Sequence, residues 1–237
     1  MCRNTHGRSA PMKDLDLGIC VLTANVSALH RTHEQVAAAA IQGGASMIQF
    51  RDKTMADEAF AETALRILRM SRSAGVPLIV NDRVSIAIAI GADGVHIGSM
   101  DGDAEEIRRT LPQEMILGVS ARNYAEAMRM DDLGANYLGV GPVFPTNSKE
   151  DVTPPIGVVE LELICRNVRT PVVAIGGVNA KTLHSVICAG VAGVAVISAV
   201  SHAPDMAISV RELSALRQKA GLSRGGELPG ACPGVFQ

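Results

Sequence analysis

Four segments of the chain share one pattern, and it restricts the fold more than any other feature. GGASMIQFRD (43–52), GADGVHIG (91–98), GANYLGVG (134–141) and GVAGVAVIS (190–198) each place Gly and a small residue before an apolar run that ends in a polar or glycine-rich corner. Each follows a stretch of helical periodicity, such as residues 57–72 or 121–133. The physical reading is a helix, a Gly at its C-terminal cap and a short buried strand, the αβ half of a repeating βα unit. Read this way, the sequence predicts eight strands, near residues 17–23, 47–50, 77–80, 94–97, 115–119, 137–140, 171–175 and 194–197. Their starts lie about 25 residues apart, the size of one βα unit, and eight such units fill a (β/α)8 barrel of ~250 residues.

The fold expected is therefore α/β, a single (β/α)8 TIM barrel with short disordered N- and C-terminal extensions. A doubly wound open sheet is the other arrangement of such units. It is weakened because no G-x-G-x-x-G follows the first strand. Residues 1–13 are polar and unpatterned and read as a flexible extension, residues 14–220 as the barrel catalytic domain, and the Gly- and Pro-rich residues 221–237 as a flexible tail.

Composition narrows the function. Apolar residues make up 47% and charged residues 19% of the chain, as in an ordinary folded protein. The net charge of −2 and an aromatic content of 3% without Trp give neither a basic surface nor stacking platforms, so no nucleic-acid partner is expected. A small phosphorylated ligand needs only a few local donors and stays open. The five cysteines include no C-x-x-C, which argues against a disulfide framework and for a reducing, cytoplasmic setting. The first residues hold no apolar run of a signal peptide. The longest apolar stretch, 186–200, is too short for a bilayer and reads as a helix end, a turn and a buried strand, so no membrane partner is expected.

Barrel active sites lie at the C-terminal ends of the strands, and the polar residues of this chain gather there. Strand two runs into Gln49, Arg51, Asp52 and Lys53, strand three into Asn81, Asp82 and Arg83, and strand four is followed by Ser99 and Asp101. Strand five ends in Ser120, strand six leads to Thr146, Asn147, Ser148 and Lys149, strand seven ends in Gly176-Gly177 and strand eight in Ile197-Ser198. Glycines that let backbone N–H groups approach an anion, on the last two strands, point to a phosphate site; a plain tight turn is the alternative. Asp82 and Asp101 end adjacent strands and can converge on Mg2+; as alternatives they cap the helices that follow. Arg51, Lys53 and Lys149 supply cations for phosphate oxygens. The 17-residue loop 141–157 with four Pro reads as a shaped lid. His96 sits mid-strand and reads as structural rather than as a base. Two anion sites, one with a metal, point to a transferase that joins two phosphorylated molecules.

With these residues in hand, IQFRDK (48–53), VNDR (80–83), GADGVHIG with Asp101, GVS (118–120), GPVFPTNSK (141–149), IGGV (175–178) and VIS (196–198) resemble the thiamine-phosphate synthase family, in order, across nearly the whole barrel. The resemblance implies a condensation of hydroxymethylpyrimidine diphosphate with hydroxyethylthiazole phosphate, giving thiamine phosphate and pyrophosphate with Mg2+ as cofactor. It implies a pyrimidine-diphosphate site of Gln49, Phe50, Arg51, Asp52, Lys53, Asn81, Ser120 and Lys149. Of these, Arg51, Lys53, Ser120 and Lys149 would be catalytic. It further implies a thiazole-phosphate site of Thr146, Asn147, Ser148, Gly177, Ile197 and Ser198, and Asp82 and Asp101 as metal ligands. Small phosphorylated substrates are the expected partners; a homo-oligomer through the outer helices is a further expectation, with no face assigned.

The chain departs from the family pattern at Ser99, where Gln is common, at Arg122, where His is common, and at Thr146-Asn147-Ser148, where Thr-Pro-Thr is common. Rival readings are the thiazole tautomerase branch of the superfamily, which lacks the aspartate pair and carries His near Pro142, and a non-catalytic phosphate-binding paralogue. A Schiff-base aldolase would want Lys inside a strand, and none of the expected strands has one.

Overall fold

The computed structural model describes residues 15–98, 101–146, 148 and 154–221. Eight parallel strands close into a barrel in sequence order: β1 (Ile19–Leu22), β2 (Met47–Phe50), β3 (Leu78–Asn81), β4 (Gly94–Ile97), β5 (Ile116–Ala121), β6 (Tyr137–Val140), β7 (Val172–Ile175) and β8 (Gly193–Val196). The circle closes where Ile19 of β1 lies opposite Val194 of β8. Each strand lies within two residues of the bounds expected from the sequence.

Between the strands run α1 (His33–Gln42), α2 (Asp57–Ser73), α3 (Val84–Ile90), α4 (Ala104–Thr110), α5 (Tyr124–Met130), α6 (Gly157–Asn167) and α7 (Leu183–Cys188). After β8 come the single turn α8 (Ser198–Ser201) and the closing α9 (Met206–Lys219). Alternation along each strand separates two cores. Ile48, Phe50, Leu78, Val80 and Val95 point outward into the layer between sheet and helices. Cys20, Leu22, Met47, Ile79, Tyr137 and Val173 fill the barrel itself. The outer layer is closed by amphipathic helices; on α2 the buried residues Phe60, Ala64, Ile67, Leu68 and Ser71 recur at helical spacing.

Local signals set the helix ends. Thr32 and Gln35 form a reciprocal capping box at the start of α1. Gly91 ends α3 at φ 65°, where a Cβ would touch nothing within 4 Å, so the dihedral alone asks for Gly. One helix is shorter than the sequence suggested. Residues 121–133 read as helical, but β5 keeps Ala121 and the side chain of Asn123 accepts from Glu126 N, so α5 starts less than one turn later, as a compact helix over Tyr124–Met130. The apolar stretch 186–200 divides into the end of α7, a turn, β8 and the start of α8, as expected.

The flexible extensions expected at 1–13 and 221–237 fall outside the described residues, apart from Gly221. Among the described residues Cys20 and Cys165 are free thiols. Among the described residues no helix is long and apolar enough to cross a membrane.

Candidate active site

The C-terminal ends of the strands surround a cavity of about 500 Å³. Short β strands followed at once by loops put successive corners side by side around its mouth. Arg51 and Lys53, from the loop after β2, line one wall, with Asn81 and Asp82 from the end of β3. Asp82 has φ 65°, the left-handed region that Asp tolerates at a cost. This turn aims its carboxylate into the cavity, with Lys53 Nζ 3.5 Å from Oδ2.

Asp101 approaches from the next corner and accepts a hydrogen bond from Gly98 N at 2.6 Å. The two carboxyls hydrogen-bond each other. Burial, then the hydrogen bond and charge of Asp101, push Asp82 up to about 6 against the pull of Lys53 and Arg51. Burial also works to raise Asp101, but the hydrogen bonds from Asp82 and Gly98 N outweigh it and hold that carboxyl below its ordinary value. As pH falls, the pair therefore takes up its first proton at Asp82, as expected when two carboxyls crowd one site. Neither is a helix cap: Arg83 occupies the cap of α3 without a side-chain bond, and Asp103 caps α4 through Glu105 N and Glu106 N. The capping alternative is therefore removed.

Ser120, on β5, lines the floor beside His96 of β4. The far wall belongs to the later strands. Thr146 and Ser148 stand after β6, and Ser148 Oγ lies 3.2 Å from Ser198 Oγ at the end of β8. Gly176 and Gly177, at φ 94° and 68°, complete it. A Cβ on Gly177 would sit 2.6 Å from Phe144 Cβ, and one on Gly176 2.5 Å from Pro142 Cα, so the loop after β6 packs directly on this glycine corner.

Three of the residues expected at the site do not line the cavity. Phe50 points the other way, fully buried and stacked on Phe60 with ring centroids 4.1 Å apart. Gln49 is buried inside the barrel below the cavity, beside Tyr137. Asp52 turns back onto its own loop: Oδ1 accepts from Thr54 N at 2.8 Å and Met55 N at 2.8 Å, and Oδ2 meets His33 Nε2 at 3.0 Å. Burial raises that carboxyl, but the donors of Thr54, His33 and Met55 prevail and hold it at about 2. The physical reason is strand alternation, since neighbours in one strand cannot face the same side. Arg51, Lys53, Asn81, Asp82, Asp101 and Ser120 come together on one wall, and Thr146, Ser148, Gly177, Ile197 and Ser198 on the other. Asn147, Lys149 and Ser99 lie outside the described residues.

The structure also adds cavity residues that the sequence reading left aside. Arg122 lines it after β5, and His96 forms part of its floor. A signal for His96 was present: in GVHIG the apolar Val95 and Ile97 alternate with Gly94, His96 and Gly98, so the imidazole shares the parity of the inward-facing glycines.

Comparison with known proteins agrees with this geometry. The thiamine monophosphate synthase family matches residues 19–200, the whole set of strands. The chain belongs to the thiamine-phosphate synthase family. A thiamine-phosphate synthase of Roseiflexus sp. (strain RS-1) is 46% identical over 198 residues, covering 84% of each chain. One of Bacillus velezensis is 45% identical over 191 residues, covering 78% of this chain and 85% of that one. Among solved structures, thiamine phosphate pyrophosphorylase from Pyrococcus furiosus superposes with a TM-score of 0.79 at 33% identity, covering 87% of this chain and 98% of the other. Thiamine-phosphate synthases are transferases.

Proposed function

We propose that this chain joins hydroxymethylpyrimidine diphosphate to hydroxyethylthiazole phosphate, giving thiamine phosphate and pyrophosphate. The observation that carries the reading is the division of one cavity into a wall of cations and paired carboxylates and a wall of glycine and hydroxyl groups. In the reaction, the bond between the pyrimidine methylene carbon and the diphosphate oxygen breaks, and the thiazole nitrogen forms a new bond to that carbon. Arg51 and Lys53 bind the diphosphate and stabilise the charge that grows on it as it leaves. Asn81 and Ser120 orient the same substrate. Thr146, Ser148, Gly177, Ile197 and Ser198 hold the thiazole phosphate so that its ring nitrogen faces the methylene carbon. Lys149, which matches the family pattern in sequence, and Asn147, which stands where Pro is common, belong to the same proposal.

The donor set fits a divalent cation. Two carboxyls side by side next to the cationic wall are hard oxygen donors, and Mg2+ takes one or two carboxylates with water and substrate phosphates. Asp82 and Asp101 would hold it, and the bound ion would neutralise diphosphate charge and favour its departure. A cytoplasmic setting and small phosphorylated partners are parts of the same reading. Pro142 lines the cavity where the tautomerase branch carries His, so the isomerase reading lacks its proton-transfer group there.

The test mixes pure protein, both substrates and Mg2+ and follows pyrophosphate and thiamine phosphate together. Product that is lost with chelator and with Asp82→Ala supports the synthase and the metal pair. Binding of each phosphate ligand without product would overturn the reading in favour of a silent paralogue.

A further inference from the structure

A polar chain crosses the interior of this aliphatic barrel and ends at the cavity. The Gln49 side chain of β2 lies beside the hydroxyl of Tyr137 on β6. The Tyr137 hydroxyl lies 3.0 Å from His96 Nδ1 on β4, and His96 Nε2 lies 2.9 Å from Ser120 Oγ on β5. Gln49, Tyr137 and His96 are 4%, 1% and 8% exposed, so water does not choose the direction of these bonds.

The barrel makes deliberate room for this chain. A Cβ on Gly118 would overlap the Tyr137 ring and lie 2.5 Å from His96 Nδ1, and a Cβ on Gly139 would lie 2.8 Å from His96 Cε1. Glycine inside a strand weakens it and commonly marks a close approach. Here two of them hollow the barrel around one imidazole and one phenol.

The direction of each bond follows from the donors available. Burial keeps the Tyr137 phenol protonated, and His96 Nδ1 at 3.0 Å is the acceptor that its buried O–H reaches. Tyr137 then spends its single O–H on His96 Nδ1, and that nitrogen accepts. A neutral imidazole with Nδ1 accepting carries its proton on Nε2 and donates to Ser120 Oγ. The hydroxyl hydrogen of Ser120 is left to point at the cavity.

We infer that Tyr137 and His96 are positioning residues that fix Ser120 as a hydrogen-bond donor to the ligand, so the substrate atom opposite Ser120 must be an acceptor. The inference rests on the functional reading above for the identity of that substrate, the pyrimidine diphosphate. It assigns His96 a task that packing alone would not require.

The experiment reads the histidine tautomer directly. Nitrogen-15 spectra of histidine-labelled, substrate-free protein at neutral pH, with the His96 signal assigned by its loss in His96→Gln, are expected to show protonated Nε2 and bare Nδ1. Tyr137→Phe removes the donor to Nδ1 and is expected to turn that signal into a mixture of tautomers. In kinetics, His96→Gln can present an amide N–H near the place of Nε2 and should keep activity within about threefold. His96→Leu should lose about tenfold or more in kcat, the usual worth of one directed hydrogen bond. A protonated Nδ1 in the unaltered protein overturns the inference, and so does equal activity of the Gln and Leu variants. If the unaltered protein makes no thiamine phosphate, the functional reading fails, and the tautomer still decides the direction of the chain.

Discussion

At the scale of single residues, the carboxylates divide by what surrounds them. Asp82 and Asp101 face each other in the cavity, and the cost of crowding falls on Asp82. Asp82→Asn removes that repulsion while keeping the size of the side chain. In chelator at neutral pH its Tm should rise by roughly 2–4 °C, which about 1 kcal/mol gives a chain of this size. Product formation with Mg2+ should fall by at least about 10², the scale of a lost electrostatic contact at a reacting centre. An unchanged rate would remove Asp82 from the metal pair.

Asp52 behaves in the opposite way. Its folded pKa, about 2, lies below the ordinary 3.8, so its stabilisation is complete above about pH 4 and is lost as pH falls from there toward 2. Asp52→Asn should lower Tm at neutral pH and flatten the fall of Tm in that acid window, measured by thermal melts across the range. Equal acid slopes for both proteins would refute the assignment. The two aspartates also mark the limit of sequence reading. Both stand after strands beside basic residues, and only the turn of the backbone separates the one that faces the cavity from the one that ties His33 to its own loop.

At the scale of elements, β2, β4, β6 and β8 were the most legible strands because the chain before each carries its own punctuation: helix periodicity, a Gly between helix and strand, then a short apolar run. Tertiary contacts did not have to be known. Residue facing was less legible, since IQFRDK was read as one block although alternation sends Gln49 inward and Phe50 outward. The glycine corner after β7 shows where an element needs a particular residue. Gly177 combines φ 68° with a near neighbour, Phe144 Cβ, at 2.6 Å from the place of a Cβ. Gly177→Ala must therefore shift either its own backbone or the loop that carries Thr146 and Ser148. Strain of this kind costs about 1–3 kcal/mol. The KM for the thiazole phosphate should rise about tenfold, with the KM for the pyrimidine diphosphate changed by less than about twofold. Steady-state kinetics with each substrate varied in turn separate the two. Equal effects on both would show that the corner serves the cavity as a whole and not the thiazole wall.

At the scale of the molecule, the closed barrel brings corners that are far apart in sequence into one ring, and the order of the strands fixes which side each corner takes. The corners of β2 to β5 supply the cations and carboxylates, while those of β6 to β8 supply the glycines and hydroxyls. This division predicts simultaneous occupancy. Pyrophosphate with Mg2+ should fill the first wall and thiazole phosphate the second, each leaving the other free. A ligand at 100 times its Kd stabilises the folded state by about 2.7 kcal/mol, and two ligands on independent sites should give about twice that. Thermal melts with each ligand alone and both together, at such saturation, read the sum as a Tm shift. Additive shifts support two walls on one cavity. A combined shift no larger than the greater single one would mean that both phosphates compete for one place, and the two-substrate geometry of the barrel mouth would have to be abandoned.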